Sequence, residues 1–295
     1  MATLRPSTDS PTVAVITVSY GSEAVLPGFL ASISTASTEQ CQIVVADNKA
    51  GNETPSIAAL AAATGAEYLP LDENRGYGAA MNAAASTLSP DIRWILISNP
   101  DVVLAPGAID RLVEAAEQDA RIGSVGPQIL TATGQVYPSA RSVPSLRNGV
   151  GHALFANLWI GNPWSRAYRN DSEQPPRRRD VGWLSGACVL VRRTAFVEAG
   201  GFDADYFMYF EDVDLGYRLG KLGYRNLYEP AAVVTHTGAH STTAESTRMV
   251  TAHHDSARRF LNKKYSGSWL WPIRVTLKVA LSLRSALVRR RISRG

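Results

Sequence analysis

An α/β fold, with a mostly parallel central sheet and helices on its faces, is what the sequence predicts, and three observations predict it. Runs dense in β-branched residues alternate with stretches whose apolar residues recur at helical spacing, the pattern of strands linked by helical crossovers. Three of those runs end on polar side chains: Ser19 and Tyr20, then Asp47 and Asn48, then Asn99 and Asp101. Ligands of open α/β sheets bind beyond the carboxyl ends of the strands, so these ends are expected to converge on one crevice. The chain of 295 residues, 45% hydrophobic, is also long enough to bury the core such a sheet needs.

Taken in order, the first 11 residues are polar and contain proline, and are expected to be loose. Thr12 to Tyr20 reads as a strand buried on both faces, stopping at Gly21. Ala24 to Ser34 follows with helical spacing, and Gln42 to Ala46 is a second buried strand. A turn over Lys49 to Asn52 leads to a helix over Pro55 to Ala63 and a short strand over Glu67 to Leu71. Glu73 to Asn82 is a glycine-interrupted loop entering an alanine-rich helix, in the place of a phosphate-approaching loop but without a Walker or dinucleotide fingerprint. Trp94 to Ser98 is the fourth strand, and Pro106 to Ala116 is a helix.

Arg141 to Asp180 breaks the alternation, with four prolines, Trp159, Trp164, Tyr168 and a terminal Arg177-Arg178-Arg179. So long an irregular segment reads either as a binding flap or as a surface insertion. Val181 to Arg193 returns to strand, Ser185-Gly186 marking a bulge or a close backbone approach. Ala231 to Thr235 is the last strand and leads to His236, with His240 four residues on. Near Asp101, His236 would suit a divalent-cation site and His240 is a weaker candidate. His253 and His254 read as structural or exposed.

The chemistry is concentrated between Tyr206 and Tyr224, where aromatics and Met208 precede Glu211, Asp212 and Asp214 at the start of a helical pattern. Acids also enter helices to complement the macrodipole, and Asp214 with Arg218 has the i, i+4 spacing of an ordinary ion pair. A carboxylate set in an aromatic wall is suited to general-base work.

Charge is unevenly distributed. Eleven of the 30 basic residues fall from Ser256 onward without one acid, leaving 19 against 26 acids in the body. A basic tail on an acidic body points to a polyanionic surface. From Trp269 to Arg294 a polar face of Arg274, Lys278, Ser282, Ser285 and Arg289 opposes an apolar one, with Trp269 and Trp271 at its start. That pattern reads as an interfacial helix or as a helix packed on the domain with a charged rim. Nucleic-acid binding is not expected, because aromatics do not interleave with the basic run. Cys41 and Cys188 form no CxxC pair, which fits buried thiols and a reducing compartment. Neither a signal peptide nor a spanning helix is expected.

The segments VAVITVSYGSEAVLPGFLASI, VVADN, ENRGYGAAMN, WILISNPDV, GWLSGACVLVRRTAFVEAGGFDADYFMYFEDVDLGYRL and VVTH together resemble inverting family 2 glycosyltransferases of the GT-A fold, and more narrowly bacterial rhamnosyltransferases. The resemblance covers roughly residues 12 to 262. It implies a GT-A domain over 12–262, a Rossmann-like nucleotide-binding core, with residues 1–11 a flexible N-terminus, 141–180 an acceptor-side flap and 263–295 a basic amphipathic membrane-associating tail.

It also implies a thymidine-diphosphate-sugar donor, a polyprenyl-diphosphate-linked N-acetylglucosamine acceptor, a divalent cation (Mg²⁺ or Mn²⁺), and a cytoplasmic location on the inner face of the membrane. By position, Thr17, Ser19, Tyr20 and Asp47 match residues around the base and ribose. Asn74, Arg75 and Gly76 match the loop near the diphosphate. Asp101 matches the last carboxylate of a DxD metal motif whose first acid is here Asn99, leaving Asp101 and His236 as metal ligands. Trp183, Ser185 and Gly186 match the segment lining the sugars. Asp212 matches the catalytic base, with Glu211 beside it. Three other classes stay open from the residues alone: transfer from a uridine-linked sugar to another glycan, nucleotidyl transfer, and non-catalytic nucleotide-sugar binding. Nucleotidyl transfer would need a basic loop after the first strand, which Gly21-Ser22-Glu23 is not.

Overall fold

A computed structural model describes residues 11–49, 54–145, 176–238 and 246–267. Four strands, β1 (Val13–Ser19), β2 (Gln42–Asp47), β3 (Glu67–Pro70) and β4 (Trp94–Ser98), pair in parallel in the order β3-β2-β1-β4. Every residue of β1 and of β4 is buried, as their unbroken apolar character requires of strands covered on both faces. Helices α1 (Leu26–Ala36) and α2 (Pro55–Ala63) cover one face through Leu26, Phe29, Ile33 and Ile57. Helix α3 (Tyr77–Ser86) covers the other through Ala80, Met81 and Ala84.

Beyond β4 the chain adds β5 (Val102–Leu104), α4 (Ala108–Glu117), β6 (Ile122–Thr131), β7 (Val136–Tyr137), β8 (Ala140–Arg141), β9 (Arg179–Val181), β10 (Trp183–Leu184) and β11 (Cys188–Arg192). Then come α5 (Arg193–Glu198), α6 (Glu211–Lys221), β12 (Arg225–His236) and α7 (Ser246–Lys264). The sheet continues β4-β11-β6-β12-β5. β6 and β12 are parallel, while β11 runs antiparallel between β4 and β6.

Two strand expectations change. Val181 to Arg193 is not one strand: β9, β10 and β11 are separate, because the chain turns at Ser185–Ala187 to bring Gly186 against α6. The last strand starts six residues earlier than Ala231, since a register shift around Pro230 between Glu229 and Val233 lets it follow β6 from Arg225 onward. β6 itself carries no strand signal in the sequence. Its glycines are demanded by packing: a Cβ on Gly126 would lie 2.5 Å from Leu184 Cδ2, and one on Gly123 2.8 Å from Tyr224 Cβ.

Helix α7 docks on α6, burying Phe260 beside Tyr206 and Val213. It runs across the expected boundary at 262/263. Lys263 pairs with Asp203 at 3.0 Å and with the enclosed Asp214 at 2.8 Å, and Lys264 Nζ donates to Pro144 O at 2.7 Å. Cys188 is buried, Cys41 half-buried, and both thiols are free. Burial pushes their pKa values up, to about 11 at Cys41 and about 12 at Cys188. His240, the side chain of His254 and the tail from Trp269 lie outside the described residues, as does 146–175 of the flap.

Candidate active site

Asp101 and His236 meet because two strands deliver them to one place. β5 pairs antiparallel with β12, placing His236 opposite Val102, and both the N–H and the hydroxyl of Thr237 donate to Asp101 O, at 3.0 and 3.1 Å. His236 Nε2 then lies 3.1 Å from Asp101 Oδ1 and 3.5 Å from Asn99 Nδ2. The first acid of the expected DxD motif is thus replaced by an amide that still faces the same imidazole.

The acid pair sits at the start of α6, entered through an uncommon backbone. Tyr209 and Phe210, both at φ 68°, are the two non-glycine residues with positive φ among those described, a costly conformation that the surroundings must enforce. They do so through carbonyls: Phe207 O accepts from Tyr77 N at 3.1 Å, Met208 O from Ser256 Oγ of α7 at 2.8 Å, and Phe210 O from Asp214 N at 2.8 Å. Gly76 permits this approach, since its φ is +96° and a Cβ there would lie 2.1 Å from Phe207 O.

The three acids of α6 have different surroundings. Asp214 is enclosed and paired with Arg218 Nε at 2.6 Å as well as with Lys263, so it is a structural ion pair, as its spacing suggests. Glu211 is buried, and its Oε2 has no hydrogen-bond partner among the described residues. Burial, then the neighbouring Asp212 charge, pushes its pKa up to about 8. Asp212 is half-buried and also raised by burial, but its carboxylate accepts from Gly186 N at 3.0 Å and from Val213 N at 2.8 Å, and Arg141 favours its charge. Burial thus raises both members of the pair, while the two amide bonds and Arg141 favour the charged form of Asp212.

Two adjoining cavities open here. The first, of 430 Å³, is lined by Tyr20, Asn74, Gly76, Asn99, Asp101 and His236. The second, of 760 Å³, is lined by Trp183, Ser185, Gly186, Glu211 and Asp212, again with Asn99 and His236. Thr17, Ser19 and Asp47 line neither: Thr17 Oγ1 and Ser19 Oγ are buried at the end of β1 with no hydrogen-bond partner among the described residues, and Asp47 accepts from Tyr68 Oη at 2.9 Å. Arg75 lines neither cavity and faces Glu73 at 3.5 Å, in solvent.

Three residues not expected at this site line it: Tyr77, Arg141 and His253, the last exposed as the sequence reading allows. Tyr77 lines both cavities and donates its hydroxyl to Gly186 O at 2.8 Å, while burial and then the two acids keep its phenol well above the usual range, hence protonated. His253 lines the second cavity with its ring 5.5 Å from Tyr209 and 5.4 Å from Phe210. Arg141 lines the same cavity. Only the tyrosine had a signal to read, its place between two glycines entering a helix.

An aspartate–histidine pair in one cavity and a buried pair of acids in the adjoining one make an arrangement suited to group transfer. Residues 14–199 match the family model described as "Glycosyl transferase family 2". The chain belongs to that family and is a glycosyltransferase. The family match includes Asp101 but ends before Asp212 and His236. Over 283 residues, 93% of this chain and 92% of the other, it is 44% identical to an N-acetylglucosaminyl-diphospho-decaprenol L-rhamnosyltransferase of Mycobacterium tuberculosis. It is also 27% identical to the rhamnosyltransferase WbbL of Escherichia coli, over 85% of this chain and 93% of that protein.

Among solved structures it is similar to a mannosyltransferase from Pyrobaculum calidifontis in complex with GDP-Man and Mn²⁺, with a TM-score of 0.58 at 16% identity over 94% of this chain and 72% of that one. A second is GalNAc-T7 with UDP, GalNAc and Mn²⁺, with a TM-score of 0.57 at 15% identity; the match covers 78% of this chain but only 44% of that one. The fold these structures share with the chain is the expected GT-A fold.

Proposed function

We propose that the protein transfers L-rhamnose from a thymidine diphosphate donor to the N-acetylglucosamine of a polyprenyl-diphosphate-linked acceptor, with inversion, in building a cell-wall or surface polysaccharide. The relative named for such a transfer matches nearly the whole chain. The observation that carries the reading is geometric: the Asp101–His236 pair and Asp212 open into cavities that share Tyr77, Asn99, Met208, Tyr209 and His236. Donor and acceptor can therefore meet across that shared wall.

In this reading the nucleotide lies along Tyr20, Asn74 and Gly76 in the first cavity, near the strand ends that carry Thr17, Ser19 and Asp47. A carboxylate oxygen and an imidazole nitrogen 3.1 Å apart, with the Asn99 amide nearby, fit Mg²⁺ or Mn²⁺. No cluster of three or more His, Cys, Asp or Glu occurs among the described residues, so the donor's own oxygens and water would fill the other positions. Such a cation, when bound, neutralises charge on the departing diphosphate.

Asp212 supplies the remaining chemistry. The acceptor hydroxyl attacks the anomeric carbon, its proton passes to the carboxylate, and the bond to the diphosphate oxygen breaks on the opposite face. Burial raises the basicity of Asp212, its two amide bonds and Arg141 favour the charged form that accepts a proton, and Glu211 beside it is raised by burial as well. Met208, Tyr209 and Phe210 line the second cavity and limit water there.

The test is to offer thymidine- and uridine-linked sugars together with a short-chain prenyl diphospho-N-acetylglucosamine. Rhamnosyl disaccharide and thymidine diphosphate are expected, with inverted configuration; faster turnover of a uridine-linked sugar would overturn the donor assignment. The acceptor's location suggests work at the inner face of the membrane, held peripherally by 263–295. No described helix is long and apolar enough to cross a membrane. Sedimentation with anionic vesicles should be lost on truncation after Lys264.

A further inference from the structure

Across both cavities, the lining described here contains one residue that is cationic at every physiological pH. It is Arg141, and it belongs to the second cavity only. Its position is built rather than incidental. Arg141 forms the two-stranded ribbon β8–β10 with Trp183 as its cross-strand partner, and its Cζ lies 6.0 Å from the Trp183 ring centre. Arg141 Nε donates to Pro138 O at 2.9 Å, Gly182 N donates to Arg141 O at 2.8 Å, and Trp183 Nε1 donates to Ser142 O at 3.2 Å. The ribbon presses on α6 through Gly216, where a Cβ would lie 2.7 Å from Trp183 Cβ.

The second cavity is therefore lined by both a carboxylate, Asp212 at the start of α6, and a cation, Arg141 on the ribbon. An acceptor with a neutral hydroxyl at one end and a diphosphate at the other, one sugar ring apart, has the matching polarity. We infer that Arg141 binds the acceptor's diphosphate, while Trp183 offers a flat apolar face to the sugar between them. The planar guanidinium suits paired phosphate oxygens, and a single charged hydrogen bond is worth about 1.5–3 kcal/mol. The donor's diphosphate is served differently, by the Asp101–His236 pair in the first cavity. This inference deepens the proposed function and rests on its acceptor assignment.

The experiment compares wild type, Arg141→Ala and Arg141→Lys on two acceptors: a short-chain prenyl diphospho-N-acetylglucosamine, and a neutral alkyl glycoside of N-acetylglucosamine of equal chain length. Arg141 also favours the charge on Asp212, but that influence acts on both acceptors alike and cancels in their ratio. The kcat/KM ratio, diphosphate over neutral, should fall at least about tenfold in Arg141→Ala. The fall should appear in the acceptor KM, Arg141→Lys should recover part of it, and the donor KM should stay within about twofold. An unchanged ratio overturns the inference. So does a rise confined to the donor KM, which would assign Arg141 to the donor's diphosphate. Calorimetric titration of the diphosphate glycolipid without donor separates the two proposals. Equal affinity of wild type and Arg141→Ala sinks the diphosphate site whatever sugar is transferred. A weakened variant beside a wild type that transfers no rhamnose sinks only the rhamnosyl reading.

Discussion

Gly186 donates its backbone N–H to Asp212 Oδ2 at 3.0 Å, across 26 residues of sequence, and so favours the charged form of a carboxylate whose pKa burial raises. Replacing the carboxylate by its amide keeps the shape and removes the proposed proton acceptor. Asp212→Asn should lower transfer by about 10²- to 10⁴-fold with donor affinity within about twofold of wild type. A parallel loss of donor binding would remove the base assignment.

The other polar group of Gly186 is held by the Tyr77 hydroxyl at 2.8 Å. Tyr77→Phe leaves that carbonyl unpaired, loosens the glycine, and weakens its amide bond to Asp212. The expected result is a several-fold lower kcat and an acidic limb of the kcat/KM profile moved to higher pH, because Asp212 loses stabilisation of its charged form. A lower kcat with an unmoved limb would mean that Tyr77 acts by packing alone.

The raised carboxyl of Glu211 makes stability depend on pH. Its folded value of about 8 lies above the ordinary 4.5, so between these values the folded protein binds a proton that the unfolded chain has released. Stability is lost as pH rises through that window. Glu211→Gln removes the group, and so should be about as stable as wild type at pH 4.5. At pH 8 it should be more stable by an amount on the order of a few kcal/mol, read from denaturant unfolding at both pH values.

Asp101→Asn and His236→Ala test the proposed cation site. Calorimetric affinity for a nucleoside diphosphate with Mn²⁺ should fall at least about tenfold in each, with no change when the metal is chelated. An equal loss under chelation would show that these side chains hold the nucleotide directly.

Gly76→Ala forces a Cβ into Phe207 O at a φ of +96°, so it should displace the 207–210 turn and abolish transfer. Gly134 also has positive φ, at +76°, but a Cβ there meets nothing within 4 Å. Gly134→Ala should cost only about 1 kcal/mol and leave turnover intact, which separates backbone strain from collision.

The first half of the sheet and its polar edge were legible because β1, β2 and β4 are apolar runs that end on polar side chains, with helical patterns alternating between the strands. The acid pair was legible because Glu211 and Asp212 open an amphipathic helix behind an aromatic run. What escaped was long-range. β6 is written with Gly123, Gly126 and Pro127, which mask a strand until Leu184 and Tyr224 are seen against it. Arg75 fits a phosphate loop by spacing, yet its side chain turns to Glu73 because nothing buried draws it inward. His253 and Arg141 lie in the second cavity through α7 and β8, elements that carry little local pattern of their own. Lys263 counts as tail by charge and as core by contact.

That last contact has a consequence for how the enzyme is made. Asp214, fully enclosed in the first turn of α6, has one cation in Arg218 and its second in Lys263. A chain emerging from the ribosome can finish every strand of the sheet while this carboxylate is still half-neutralised and the Met208 carbonyl still waits for Ser256. Until residues 256–263 are in place, the helix that carries the acid pair lacks two of the contacts that fix its start, so that wall settles after the sheet it faces.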